Sequence, residues 1–142
     1  MTEIGIAKAR TIIEATLAKG KEMGLKPLSV AVLDAGGHLI AFEREDGASP
    51  GRFDIARGKA YVAVMTGMTG TALMERAEQQ AYFVNALSGA FDGKMIPVPG
   101  GVLVKDGSGK IIGAVGVTGD TSDNDAAAAL AGIEAAELIG AA

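Results

Sequence analysis

The chain has 142 residues, a formal net charge of −4 and no cysteine, which excludes disulfides, cysteine nucleophiles and cysteine-based metal sites. It has no basic cluster and no apolar run approaching the ~18 residues of a membrane span, so we expect neither nucleic-acid binding nor membrane insertion. The length fits one domain over residues 1–142. Because the N-terminus lacks the basic start and apolar centre of a signal peptide, we expect a cytoplasmic protein.

The beginning of the chain is predicted to form a helix and then a hairpin. Residues 2–23 place Ile6 and Ile13 on one stripe, as in an amphipathic helix, and Gly24 is a suitable stop. The segments SVAVLD and LIAFERE then read as strands, the first nearly all apolar and the second alternating. The turn between them falls at residues 35–38.

The middle of the chain is predicted to be helical. A helix is expected over about 53–66 and is ended by glycines up to Gly70. Thr71 is the expected cap of a further helix over about 72–80, and a short helical turn is expected at 82–88. The predicted inward-facing residues of the first of these helices are Ile55, Val62 and Met65.

A second hairpin is predicted within residues 100–125. Two β-branched segments flank the turn at 106–109, and Thr121 then caps a final alanine-rich helix over about 123–139. Two prolines before this hairpin exclude a central strand there, although Val98 between them could pair at a sheet edge.

The order helix, hairpin, helices, hairpin, helix predicts an α+β fold with an antiparallel sheet. The two hairpins contain the similar segments VLDAGGHLI and VKDGSGKII, which predicts the same turn chemistry in both. No linker or convincing repeat divides the chain, and so the whole sequence is interpreted as one folding unit.

Three groups at the first hairpin and the following helix could carry chemistry. Arg44, Asp46 and Gly47 end the hairpin, where they form either a solvated loop or an anion site with a bidentate arginine. Lys59 lies on or near the buried side of its helix, either extending to solvent or acting as a desolvated cation. His38, the only histidine, is either a solvated turn residue, a ligand for a metal or haem, or a contact across an oligomer interface.

Acidic residues crowd the start of the last helix, at Asp120, Asp123 and Asp125. Capping and the helix dipole account for at least one of them. Three carboxylates within six residues exceed what a cap needs, so a role in proton transfer or in holding a hard cation stays open. The spacing of a calcium-binding EF-hand is absent, and with one histidine and no cysteine we expect no metal site.

A glycine pair follows a proline at Pro99, Gly100 and Gly101. Its backbone N–H groups could face an anion, but the phosphate-binding glycine patterns of dinucleotide and P-loop proteins are missing. The six methionines are irregularly spaced and are interpreted as core residues.

Four segments together resemble the GlcG/HbpS-like family, also called the haem-degrading domain family, which includes the C-terminal domain of PduO-type proteins. They are SVAVLDAGGHLIAFEREDGA, ARGKAYVAV, PVPGGVLV and GKIIGAVGVTGDTSDND with its alanine-rich tail. The resemblance implies a profilin-like fold with a five-stranded antiparallel sheet flanked by helices. It also implies homo-oligomers (tetramer to octamer) and binding of haem or a corrinoid.

The resemblance also assigns functional positions. The residues that it carries over are Arg44, Asp46, Gly47, Lys59, Gly100, Gly101, Asp123 and Asp125. The family pattern often has Asp-Glu at the last helix, where this chain has Asp125 followed by Ala126, so a paired carboxylate is not expected there.

Two functions remain open at the level of sequence, and whether the protein is an enzyme is left undecided. The first is a binding protein for haem or a related tetrapyrrole, with haem degradation or redox sensing as associated activities. The second is an enzyme or accessory protein for a small carboxylic acid, with Lys59, Asp123 and Asp125 as catalytic residues. The ligand-binding set is Arg44, Asp46, Gly47, Lys59, Pro99, Gly100, Gly101 and Asp120. A purely structural role is the third alternative.

Overall fold

The computed structural model describes residues 3–142. The helices are α1 (Ile6–Glu22), α2 (Arg52–Thr66), α3 (Gly70–Gln79), α4 (Ala81–Ala90) and α5 (Ser122–Ala135). The strands are β1 (Ser29–Asp34), β2 (Leu39–Arg44), β3 (Gly101–Lys105), β4 (Ile111–Thr118) and β5 (Ile139–Ala141). Thr2, where the first helix was predicted to begin, lies outside the described residues. Every helix described is too short or too polar to cross a bilayer.

The five strands form one antiparallel sheet in the order β2-β1-β4-β3-β5. Helices α1 and α5 pack against each other and cover one face, whereas α2 covers the other face across β4, β1 and β3. The predicted α+β fold, with a five-stranded antiparallel sheet flanked by helices, is therefore confirmed.

Alternation along the strands divides the core between the two faces. The valines of β1, β3 and β4 point towards α1 and α5, where they meet Ile12, Ile13 and Ile133. The face towards α2 includes the small side chain of Ala114, which belongs to the same buried cluster as Ala60 of the helix. Because these side chains are small, α2 lies close to the strands on this face, including β4.

The two hairpin turns use the same hydrogen bonds, as predicted. In the first, Oδ1 of Asp34 accepts from the N–H groups of Gly36 and His38, both at 2.9 Å. In the second, Oδ1 of Asp106 accepts from the N–H groups of Ser108 at 2.9 Å and Lys110 at 3.0 Å. In both turns a glycine with positive φ follows three residues later, Gly37 at 81° and Gly109 at 86°, so the aspartate and this glycine together specify the local structure.

The final helix was predicted to run to 139, and this prediction was wrong. Helix α5 ends at Ala135, Glu137 takes a positive φ of 62°, and the chain returns as β5 beside β3. The outer edge of β3 offers unpaired backbone groups, and Leu138 is buried at the turn. Tertiary pairing and burial therefore override the helix propensity of the tail.

Three further local predictions need correction. The cap of α3 is Thr69, whose Oγ1 accepts from the N–H of Ala72 at 3.1 Å, and not Thr71. The predicted short turn at 82–88 is the whole helix α4, and Val98 lies outside every strand. Met65, predicted to face inwards, is 37% exposed; it lies in the last turn of α2, and its side chain reaches Gly37 of the first hairpin turn.

Candidate functional site

A buried ion pair joins α2 to the start of α5 at one end of the sheet. Nζ of Lys59 lies 3.2 Å from Oδ2 of Asp125 and also donates to the carbonyl oxygen of Val117 at 3.0 Å. The side chains are only 4% and 1% exposed. Oδ1 of Asp125 accepts from the N–H of Asp120 at 2.9 Å. Both charges are therefore paired and hydrogen-bonded, as burial of charge requires.

Burial shifts both members of this pair towards their neutral forms. Desolvation lowers the pKa of Lys59, an effect that Arg52 increases and Asp125 opposes. Desolvation raises the pKa of Asp125, and the N–H of Asp120 and the Lys59 ammonium oppose it. Because the two pKa values approach one another, moving a proton between these groups costs less than it would in water.

The predicted glycine pair lies against this ion pair. Gly100 has φ of 106°, and a Cβ there would lie 2.8 Å from Nζ of Lys59, so only glycine leaves room for the ammonium group. A Cβ at Gly101 would clash with the carbonyl group of Lys59. Pro99 is buried beside them. The structure therefore brings Lys59, Gly100, Gly101 and Asp125 together.

The three clustered aspartates take three different positions. Asp125 points inwards to Lys59, whereas Asp123 is exposed on the first turn of α5. The carboxylate of Asp120 accepts from the side chain of Asn124 at 2.8 Å, the N–H of Thr121 at 2.8 Å and the N–H of Lys26 at 3.1 Å. Its place is in the loop before the helix, where it organises the cap. The catalytic and binding roles assigned to these residues stay predictions.

Hydrogen bonds to the carboxylate of Asp120 lower the pKa of this group, and the shift can be measured. The bond from Asn124, followed by those from Thr121 and Lys26, lowers the pKa of Asp120 to about 2. A depressed carboxyl pKa contributes stability above about pH 4 that is lost as the pH falls through about 2. We expect NMR titration of the aspartate carboxyl carbons to find Asp120 near 2, and Asn124→Ala to move it upwards.

The matched control is Asn85→Ala, which removes an exposed asparagine from α4 and should leave the Asp120 titration unchanged. A wild-type Asp120 that titrates at an ordinary carboxyl pKa would contradict the hydrogen-bond arrangement.

The first group of predicted ligand-binding residues lies elsewhere. Arg44, Asp46 and Gly47 are exposed, and the first two line a surface depression together with Lys21 of α1. Within residues 3–142, Arg44 has no carboxylate within 4.0 Å. The expectation that Arg44 and Lys59 share one hollow is therefore wrong, because Lys59 is enclosed by β4 and α5.

Residues not singled out from the sequence lie between these two groups. Nη1 of Arg52, at the start of α2, donates to Oγ1 of Thr118 at 2.7 Å, and Ser29 is paired with Thr118 in the sheet. Signals for them existed in the sequence. Arg52 is a cation at the first position of a helix, where the dipole disfavours it, and Ser29 is the only hydroxyl in an apolar strand.

The opposite end of the sheet carries His38. Its ring is 82% exposed, as expected for a turn residue, and Nδ1 lies 3.3 Å from Oδ1 of Asp34. Asp34 borders a depression of about 280 Å³ whose apolar wall includes Ile4 and Ile111 and whose rim includes Lys110. The imidazole of His38 is thus open to solvent, and Asp34 and Gly36 of the same turn, but not His38 itself, line the depression.

No cluster of three or more histidine, aspartate or glutamate side chains within residues 3–142 could hold a metal ion. Haem iron has a different requirement, since a single proximal histidine is sufficient in many haem proteins. A carboxylate at the other ring nitrogen orients such a ligand in many sites, and Oδ1 of Asp34 lies 3.3 Å from Nδ1 of His38. His38 is the only histidine of the chain available for that role.

The fold and these sites define the chain as an α+β protein of one antiparallel sheet, with a buried lysine–aspartate pair at one end and an exposed histidine at the other. The chain belongs to the haem-degrading protein HbpS-like family, whose model matches residues 4–134.

Individual relatives agree with this membership. An uncharacterised 15.0 kDa protein in the dhaT-dhaS intergenic region of Citrobacter freundii is 34% identical over 122 residues, covering 86% of this chain and 84% of that protein. A double mutant of Streptomyces reticuli HbpS is 27% identical with a TM-score of 0.79, covering 94% of this chain and 87% of that chain. A PduOC:heme complex has a TM-score of 0.83 at 21% identity, covering 94% and 95%, which shows the shared fold.

Proposed function

We propose that this protein binds haem or a related tetrapyrrole such as a corrinoid, and that His38 would hold the metal. The observation that carries the proposal is the exposed imidazole of His38, whose Nδ1 lies 3.3 Å from the carboxylate of Asp34, a residue that in turn borders a partly apolar depression. The family and the haem complex of a protein with the same fold support it. When bound, haem supplies one-electron and oxygen chemistry, and haem degradation or redox sensing belongs to the proposal.

The residues around His38 would divide the work of binding. Nε2 of His38 would hold the iron, Ile4 and Ile111 would contact the apolar macrocycle, and Lys110 would pair with a propionate. A cavity of about 280 Å³ is below the roughly 300–1,000 Å³ that encloses a drug-sized ligand. A second subunit would therefore cover the exposed part of the macrocycle, in keeping with a homo-oligomer of four to eight chains in the cytoplasm.

Titration with hemin, followed at the Soret band, tests the proposal. We expect a saturable shift at micromolar hemin, abolished by His38→Ala. Asp34→Asn keeps a side-chain oxygen for the hydrogen bonds of the turn but removes the negative charge next to the His38 ring. Hemin binding by this variant should therefore weaken about tenfold or more. The control is Tyr82→Ala, which removes an exposed aromatic ligand candidate and should bind like the wild type. Unchanged binding by His38→Ala would overturn the assignment.

Action on a small carboxylic acid is the second candidate function. The observation that favours it is the Lys59–Asp125 pair, whose pKa values approach one another beside the backbone of Gly100. In this proposal Asp125 and Lys59 exchange a proton, and Asp123 stays a secondary candidate. Of the predicted binding set, Lys59 is part of this pair, and Pro99, Gly100 and Gly101 lie beside it. Asp120 donates its N–H to Asp125, whereas Arg44, Asp46 and Gly47 lie in the separate exposed group. A thermal-shift screen of small carboxylates tests it, and a flat response would remove it.

A further inference from the structure

We propose that the start of α2 and the facing end of the sheet form a binding site for a small oxyanion, a carboxylate or phosphate group. Its cations are Arg52 and Arg44, and its hydroxyl donors are Ser29 and Thr118. The inference is independent of haem binding. It rests on the second candidate function, action on a small carboxylic acid, but places the bound anion at Arg52 and not at Lys59.

The first argument is that the positive charges of the two arginines are not paired with carboxylates. The guanidinium of Arg52 donates only to neutral oxygens, Oγ1 of Thr118 at 2.7 Å and Oγ of Ser49 at 3.1 Å. Among residues 3–142, neither Arg52 nor Arg44 has a carboxylate within 4.0 Å. Both guanidinium groups therefore keep N–H donors for a ligand.

Two of the nearby carboxylates already have partners. Asp54 pairs with Arg57 at 3.5 Å, and the side chain of Glu45 accepts from the N–H of Leu28 at 2.7 Å. Lys21 lies 4.0 Å from the other oxygen of Glu45. Glu43 and Asp46 border the same depression as Arg44, but within residues 3–142 neither lies within 4.0 Å of an arginine nitrogen.

The second argument is sheet register. Ser29 is paired with Thr118 on one side and with Arg44 on the other, so the three side chains leave the same face, with the Cβ atom of Ser29 about 4.5–5.5 Å from that of each neighbour. The rings of Phe42 and Phe53 meet at 4.9 Å, which brings this face of β2 to the first turn of α2. Arg52 and Arg44 therefore border the same hydroxyl pair.

The third argument is an unsatisfied hydroxyl. Ser29 is fully buried and its Oγ has no hydrogen-bond partner, which is costly in a folded protein. Thr118 accepts a hydrogen bond from Arg52 and keeps its own O–H proton to donate. An oxyanion between the arginines would accept from both hydroxyls, which gives Ser29 the partner that it lacks.

The fourth argument is the helix itself. Arg52 is the first residue of α2, a helix of 15 residues whose N-cap, Gly51, makes no side-chain cap. The positive end of the helix dipole disfavours a cation there and favours an anion. A guanidinium fork matches the two oxygens of a carboxylate or phosphate, so a bound oxyanion would offset both positive charges.

Calorimetric titrations with sodium phosphate and with sodium malonate, at ionic strength held constant with sodium chloride, test the proposal. We expect one saturable site per chain for at least one of the two anions, and the anion that binds identifies the ligand source. Arg52→Gln should weaken binding about tenfold or more. Arg44→Gln, an exposed change that leaves the fold intact, should weaken it as well. The matched control is Arg10→Gln, which removes an exposed arginine from α1.

Ser29→Ala separates a binding role from a structural one. Removing an unpartnered buried hydroxyl should raise the thermal midpoint of the free protein and weaken anion binding in the same variant. No saturable binding of either anion, or equal weakening by Arg10→Gln, would overturn the proposal. Hemin titration of Arg52→Gln should match the wild type, because a six-residue strand of about 17–20 Å separates this site from His38. Failure of the haem proposal is thereby distinguished from failure of this one.

Discussion

Replacing Lys59 by Met should destabilise the protein by about 3–5 kcal/mol, because it leaves the carboxylate of Asp125 buried without a cation. Asp125 is 1% exposed and keeps only the N–H of Asp120 as a donor when Lys59 is lost. Methionine preserves the length and apolar stem of the lysine side chain, so the effect reports the charge and not a cavity. Urea unfolding at pH 7 measures it as a fall in midpoint.

The matched control is Lys19→Met, which breaks a pair of similar geometry in solvent. Lys19 and Glu22 lie 3.3 Å apart, against 3.2 Å for the buried pair, but their side chains are 36% and 72% exposed. Water already screens such a pair, so this change should cost less than about 1 kcal/mol. Equal costs for the two lysines would show that burial adds nothing at Lys59.

The pH dependence of the Lys59→Met variant gives a second readout. Burial raises the pKa of Asp125, and loss of the ammonium group raises it further. A carboxyl group with a raised folded-state pKa adds stability below its unfolded pKa and loses it as the pH rises through the folded value. The deficit of the variant should therefore shrink on acidification. The double variant Lys59→Met/Asp125→Asn should recover most of the lost stability at pH 7.

Local chemistry made much of this fold predictable. The turns at Asp34 and Asp106 are built from hydrogen bonds within five residues, and Oγ1 of Thr121 caps α5 by accepting from Asn124. Period-two alternation placed Phe42 and Arg44 on one face of β2, as the register confirms. Interactions of this kind depend on neighbours in sequence, and so one sequence is sufficient to reveal them.

The partner of Lys59 could not be predicted from one sequence. Asp120, Asp123 and Asp125 have similar local sequence, and only the packing of α5 against the sheet decides which of them turns inwards. The adjacency of Ser29, Thr118 and Arg44 likewise depends on the pairing of three strands. Strand β5 was missed for the same reason, since its only partner is the edge of β3, 34 or more positions earlier.

Because α2 packs closely against β4, we expect Gly116→Ala to destabilise the protein by about 3 kcal/mol. A Cβ at Gly116 would clash with the carbonyl oxygen of Ala56 and lie 3.1 Å from Cβ of Ala60. The obstacle is backbone, which cannot rotate away as a side chain can, so α2 must move off β4. The thermal midpoint should fall by roughly 10 °C, measured by differential scanning calorimetry.

Gly89→Ala is the matched control for that substitution. Gly89 lies within α4, and a Cβ there would meet nothing within 4 Å, so the same change should stabilise the protein by about 0.5–1 kcal/mol. Since α2 carries both Arg52 and Lys59, its displacement in Gly116→Ala should also weaken oxyanion binding while leaving hemin binding at the far turn intact. A Gly116→Ala variant as stable as the wild type would mean that α2 lies further from β4 than the contact with Ala56 requires.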